Sequence, residues 1–477
     1  MRSSSDHTNF ATSSMLQTKD YIRFRADAAK ALEFVRKNSR LLEQQFLSTG
    51  PQEVLLPNGL AFGKQLKANK QQRQQQSCAS SQLTNANILD HTRAITRPQY
   101  LDGIRNRLND MLKQQQTVSF ESIDVMRCKE GIVPHRSIVL RGCKGIGKSY
   151  LLHMTATHLI ARDKNVRVVY ISNCGNWRRC TGSIERSIFL AEAFSAAFSE
   201  SAEIQHMVDM WIEQLHHCIY GESPLFLSLL GDIEAYCQHH DLNIVMLLDC
   251  IDEIAGSDIE NREIVSDLVY MQRRYCYPMV LAASDDSKAR ELSERFNAGD
   301  LTINRPFSST EASLYISTCG LGKRLHALQL KQLLKCTWQH PSELHRLCQL
   351  IRMEWSSSGN NDLEVAVSMG IDKFILSPFV NFVPQPFASY LFQAQVFASA
   401  IAKAVMDTLC MNNYSGGFID TNYMVPLPAS KDPVFMYPSP QIAKGIVELH
   451  CKTFDDISHS IDRYLTHMHS ALYQRLL

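Results

Sequence analysis

The spacing of apolar positions changes several times along the chain, and each change marks an element. Over residues 27–46, Ala29, Leu32, Val35, Leu41 and Leu42 recur at helical spacing and predict a helix. A polar, glutamine-rich run then follows, LKANKQQRQQQSCASSQLTNAN at 66–87. With no a/d repeat it predicts a flexible linker and no coiled coil. From about residue 97, RSIVLRG, SYLLHMTATHLIAR and VRVVYIS read as strand, helix, strand, the pattern of a parallel sheet with crossover helices. A long helical region is expected over 183–240, with Leu190, Ala193, Phe194, Ala197 and Phe198 on one face. NIVMLLDCIDEI predicts a strand running into acids, 262–275 a helix, and PMVLAAS a third short strand. After residue 309 the pattern turns helical to about 355, and SSSGNND at 356–362 predicts a linker. The remainder reads as helix-rich, with a strand or loop excursion within 416–450.

Composition narrows the function classes only a little. The 49 Lys and Arg against 48 Asp and Glu leave a net charge of +1, so no global field selects a nucleic-acid or anionic-membrane partner. The 14 cysteines show no CxxC pair and no spacing suited to a zinc site, which fits a reduced intracellular setting in cytoplasm or nucleus. Residues 1–16 are rich in Ser and Thr, but Asp6, Asp20 and the scarcity of arginine weigh against mitochondrial import. No apolar core segment opens the chain, so no secretory leader is expected. Between Lys373 and Lys403 no residue is charged, yet Pro378, Pro384 and Pro386 interrupt the run. A buried helix over 387–406 is expected there, with no integral membrane segment.

One string carries specific chemistry. GCKGIGKS at 142–149 fits Gly-x4-Gly-Lys-Ser, between an expected buried strand (137–140) and an expected helix (150–162). Glycine at 142, 145 and 147 opens backbone conformations in which successive N–H groups face one phosphate. The helix beginning near Lys148 adds its positive end. Lys148 would reach the β- and γ-phosphates and the Ser149 hydroxyl would ligate Mg²⁺. The candidate nucleotide-binding set is Gly142, Cys143, Lys144, Gly145, Ile146, Gly147, Lys148, Ser149 and Tyr150.

Such a loop needs a carboxylate at the end of a neighbouring buried strand. Residues 244–248 are wholly apolar and end in Asp249, about a hundred positions after Lys148, making Asp249 with Ser149 the expected metal pair. Asp252 and Glu253 follow as candidates to activate the attacking water, with helix capping as the plainer alternative. If the strand at 279–283 lies between the other two, Ser284 or Asp285 would face the γ-phosphate.

Gly142–Ser149 together with Leu247-Leu-Asp-Cys-Ile-Asp-Glu253 resembles the P-loop ATPases of the AAA+ and STAND superfamily. Cys250 stands where the AAA+ form would have glutamate, which favours the STAND-like pattern and leaves the base open between Asp252 and Glu253. More narrowly, RGCKGIGKSY with VVYISNCGNW is similar to the ATPase module of Crinkler-type effectors and retrotransposon hot-spot proteins, and HPSELHRL looks like the lid that follows it. The resemblance covers roughly 97–355, with 417–420 as a weaker match, and implies an α/β fold: a P-loop NTPase core with parallel sheet and flanking helices at 97–306 and a helical lid at 307–356. The residue pattern itself adds a helix-rich C-terminal domain at 362–477 and a largely flexible region at 1–96 with a helix and a Gln-rich linker. The resemblance implies ATP and Mg²⁺ as cofactors, Lys148, Asp252 and Glu253 as catalytic residues, and Arg346 as a lid arginine reaching the nucleotide. Arg273 and Arg274 are candidate fingers for a neighbour in a homo-oligomer. No guanine-reading string follows Asp249, so ATP is preferred to GTP. The expected function is ATP binding and hydrolysis that switches an unidentified protein or nucleic-acid partner. The alternatives are a scaffold with negligible turnover and a kinase. Arg178 and Arg179 are a weak nucleic-acid signal.

Overall fold

The computed structural model describes residues 24–62, 91–117 and 136–376, apart from 181, 218–225, 257, 285, 323, 338 and 358–361, together with 425–426 and 435–436. The chain divides into two compact units, residues 1–141 with 148–301, and residues 142–147 with 302–477.

The first unit begins with helices α1 (24–37) and α2 (Ser39–Phe46). Strand β1 (Glu53–Pro57) pairs antiparallel with β2 (His91–Ile95), and α3 (Pro98–Thr117) follows. The α/β part runs β3 (Ser137–Arg141), α4 (Lys148–Arg162), β4 (Val166–Ile171), α5 (Cys174–Arg178), α6 (Gly182–Ala197), α7 (Ala202–His217), α8 (Phe226–His239), β5 (Asn243–Leu248), α9 (Ile259–Tyr275), β6 (Met279–Ala282), α10 (Asp286–Arg295) and β7 (Gly299–Thr302). The sheet is five-stranded in the order β4-β5-β6-β3-β7, with parallel ladders β4–β5, β5–β6 and β6–β3. The α/β class expected from the sequence is therefore the observed one. Every residue of β5 and β6 is buried, and both strands read as continuous apolar runs because helices cover both faces of a parallel sheet.

Two expectations change. The strand ending in Asp249 does not lie alongside the strand before the glycine loop, because β6 lies between them. This is the arrangement under which Ser284, just after β6, belongs to the same strand-end row. Residues 24–62 are also no appendage. The Phe62 amide donates to the Tyr170 carbonyl at 2.9 Å and Ser172 N–H donates back to Phe62 at 2.9 Å, while the Pro57 carbonyl meets His153 Nε2 at 2.9 Å. Arg25 pairs with Glu192 and Asp209, which ties α1 to α6 and α7. The glutamine-rich linker and the helix expected over 387–406 lie outside the described residues.

In the second unit, α11 (Ser309–Thr318), α12 (Ala327–Thr337), α13 (Pro341–Ser357) and α14 (Leu363–Leu376) bury Ile316, Leu333, Leu344, Leu347, Ile351 and Phe374 together. The start of α11 is a capping box: Ser308 accepts from the Glu311 amide at 3.1 Å, and the Ser308 amide donates to the Glu311 carboxylate at 2.6 Å. Strands β8 (Val425–Pro426) and β9 (Phe435–Met436) pair antiparallel. No helix among the described residues is long and apolar enough to cross a membrane.

Candidate phosphate-binding site

Three short segments of the first unit come together where the parallel strands end. Helix α4 opens with Lys148, which is buried at 6% exposure, followed by exposed Ser149 and Tyr150. Asp249 ends β5 with 4% exposure. Its backbone is locked on both sides: its amide donates to the Ile171 carbonyl and its carbonyl accepts from Cys174 N–H, both at 2.9 Å. Its carboxylate accepts from Cys250 N–H at 2.9 Å, with the Ser149 side chain and the Lys148 ammonium close enough to influence it. Burial pushes the Asp249 carboxyl up to about 6, opposed by the Ser149 and Cys250 hydrogen bonds and the Lys148 charge, with Asp252 adding to the rise. A carboxylate held out of water beside a hydroxyl and an ammonium is a hard-oxygen donor set suited to a hydrated divalent cation.

The chain after β5 turns sharply. Cys250 adopts φ +54°, a left-handed conformation, and Ile251–Glu253 form one 3₁₀ turn. The turn aims Asp252 and Glu253 differently. Asp252 is half-buried. Burial raises its pKa, while its own amide, Lys148 and the Ser284 amide lower it, so it faces Lys148 and the end of β6. Glu253 is exposed, and a Cβ added at Gly175 would lie 3.4 Å from its Cγ, so its side chain runs along α5. The Lys288 ammonium donates to the Asp252 carbonyl at 2.9 Å, and Arg178 donates to the Glu253 carbonyl at 3.3 Å.

The sequence reading missed two neighbours. Tyr170 is buried in β4 and its hydroxyl donates to the Ser149 carbonyl at 3.4 Å. Asn173 caps α5, accepting from Gly175 N–H at 2.8 Å. The Asn after an apolar strand was a visible capping signal, whereas nothing in the pattern distinguished Tyr170 from a core aromatic.

The loop itself belongs to the second unit. Gly145 and Gly147 have φ +82° and +106°, conformations that β-carbons disfavour. Cys143 and Ile146 are buried and Lys144 is exposed. Ser342 N–H donates to the Gly145 carbonyl at 3.2 Å, and Cys143 Sγ lies 3.8 Å from Nε2 of buried His340. A Cβ at Gly145 would come within 2.8 Å of His340 Cε1. Arg346 lies further along α13, stacked 4.7 Å over the Phe374 ring and donating to the Phe374 carbonyl at 3.3 Å and to Glu343 at 3.4 Å. Asp285 lies outside the described residues. Arg178 is paired with Asp258, Arg179 donates to Asn176, and Arg273 and Arg274 are exposed on the last turn of α9.

No protein-family model and no curated protein matches the chain. Among solved structures it is similar to the Walker-type ATPase paby2304 of Pyrococcus abyssi, at 11% identity and TM-score 0.40 over 66% of this chain and 91% of that one. It is also similar to PCH-2 of C. elegans, at 13% identity and TM-score 0.34 over 58% and 68%.

Proposed function

We propose that the chain binds ATP with Mg²⁺ through residues 142–150 and Asp249, hydrolyses it, and uses the nucleotide state as a switch on a partner macromolecule. One observation carries the reading: Ser149 and Lys148, at the start of α4, lie close enough to the buried Asp249 carboxylate to oppose the rise in its pKa, although about a hundred residues of sequence separate them. Burying a carboxylate, a lysine and a second acid near one another is costly unless a ligand uses them.

In this reading Gly142, Gly145 and Gly147 give the loop the backbone conformations from which amides turn toward phosphate, and Lys148 holds the β- and γ-phosphates. Ser149 and Asp249 would hold Mg²⁺, which neutralises charge on the phosphate oxygens when bound. Asp252, facing Lys148 and the end of β6, is the acid best placed to take a proton from the attacking water, and Ser284 polarises the same face. Glu253 steadies the turn against α5. A lid arginine role for Arg346 requires it to leave Phe374 and Glu343. Exposed Arg273 and Arg274 are the finger candidates if copies of the chain assemble. The AAA+/STAND type, the protein or nucleic-acid partner and an intracellular site of action belong to the same proposal.

Single-turnover hydrolysis of ATP separates the candidates. Asp252→Asn is expected to lower the rate by about 10²-fold or more with ATP binding retained, and Glu253→Gln by less. Equal, near-zero rates in wild type and both variants would leave a nucleotide-binding scaffold without turnover. Phosphate transfer only to a second substrate would indicate a kinase.

A further inference from the structure

A buried histidine reaches the glycine loop from the turn ahead of α13. His340 is 0% exposed, and its Nε2 lies 3.8 Å from the Sγ of Cys143, itself 2% exposed. On the other side of the ring, Nδ1 lies 3.2 Å from the Ser342 hydroxyl. In either neutral tautomer one ring nitrogen donates and the other accepts. A thiol and a hydroxyl, each able to do both, satisfy the two nitrogens together.

The local sequence explains why the ring is there. His340 precedes Pro341, the first residue of α13, and its carbonyl accepts from the Leu344 amide at 2.9 Å, which makes it the helix N-cap. The amides that open a helix have no acceptor within it, and proline at the first position removes one of them. The next, that of Ser342, donates to the Gly145 carbonyl at 3.2 Å. Just ahead of His340, Gln339 adopts φ +61°, uncommon for a residue with a β-carbon. Its carbonyl accepts from the Phe307 amide at 3.0 Å, and its own amide donates to the Thr337 hydroxyl at 3.3 Å. Such a conformation persists where neighbours over-determine it, and here it aims the imidazole at the second residue of the loop. Leu344, Leu347 and Ile351 of α13 are buried in the core of the second unit, so the ring stands on a fixed support.

We propose that His340 is a positioning residue for the phosphate loop: held by Ser342, its ring fixes the Cys143 side chain and keeps residues 143–147 in the conformation that receives phosphate. Two contacts tie the loop to α13, His340 with Cys143 and the Ser342 amide with Gly145. The fit is close, since a Cβ at Gly145 would come within 2.8 Å of His340 Cε1. The effect on ATP rests on the proposed function, whereas the hold on the loop does not.

The test compares wild type with His340→Phe, which keeps a ring and removes both nitrogens, and His340→Gln, which restores an amide near the position of Nε2. Hydrogen exchange of the full chain without nucleotide reads the loop. Amides of 143–147 are expected to exchange about tenfold faster in His340→Phe and near the wild-type rate in His340→Gln, with those of β5 and β6 unchanged in both. A side chain that only fills space would be spared by Phe and not rescued by Gln. Calorimetric titration with ATP and Mg²⁺ should then show affinity lower by about tenfold in His340→Phe and largely restored in His340→Gln. Should His340→Phe not fold, Ser342→Ala, at an exposed position, removes the hydroxyl beside Nδ1 and is expected to speed loop exchange by about threefold. Wild-type loop exchange in the variant that folds, faster exchange that Gln does not reverse, or unchanged ATP affinity in a loosened loop overturns the proposal. Faster loop exchange in His340→Phe alongside a wild type that binds no ATP would refute the nucleotide reading and leave the positioning role standing.

Discussion

Glu343, in the first turn of α13, is 4% exposed, and burial pushes its carboxyl up to about 7 against the opposing Arg346 charge. An acid whose folded pKa lies above its unfolded value of 4.5 favours folding below that value and ceases to do so as pH rises through about 7. The second unit should therefore lose stability between pH 5 and 8. Glu343→Gln should remove that slope, with a gain at pH 8 of up to about 3 kcal/mol and almost none at pH 4.5. Chemical denaturation at the two pH values measures both. Gly145→Ala is expected to be harmful for a different reason: at φ +82° its Cβ meets His340, so thermal stability should fall by about 1–3 kcal/mol and ATP affinity with it. At this scale the sequence was informative where residue type alone dictates chemistry. A lysine and a hydroxyl after the third glycine, and a carboxylate closing an apolar strand, have few other uses.

Among the elements, strands and helices from β3 to α13 were visible as runs and periods, but their order in the sheet was not. Parallel ladders are made by backbone groups, so no side chain announces that β6 inserts between β5 and β3. The long helical region expected over 183–240 holds three described helices, whose breaks the apolar period did not mark. Strands β1 and β2 were hidden because their partners lie on either side of the long polar run, beyond the reach of any hairpin signal. Helix α11 tests the local rules directly. Ser308→Ala removes one half of its capping box and should cost about 1 kcal/mol by denaturant titration, while Ser313→Ala, mid-helix, should cost less than half of that.

For the whole molecule, the revision that matters is the N-terminal region. Glu192 stands in the apolar run SIFLAEAFSAAF, and a lone acid there was the legible hint that a cation from elsewhere must reach it. That cation is Arg25, 167 residues away and 2.7 Å from the carboxylate. Arg25→Ala should destabilise the first unit by about 3 kcal/mol, because Glu192 stays buried without its charge partner. Arg25→Ala with Glu192→Gln should recover most of the loss in the same melting experiment. The nucleotide account asks one thing of the molecule: that Lys148, Ser149 and Asp249 serve a single magnesium-bound triphosphate. Calorimetric titration of ATP into wild type, Lys148→Ala and Asp249→Asn, each with and without Mg²⁺, measures this directly. The account predicts micromolar-range binding in wild type, a loss of about tenfold or more in Lys148→Ala, and binding in Asp249→Asn that no longer responds to Mg²⁺. Equal affinity and equal Mg²⁺ dependence in all three proteins would contradict it.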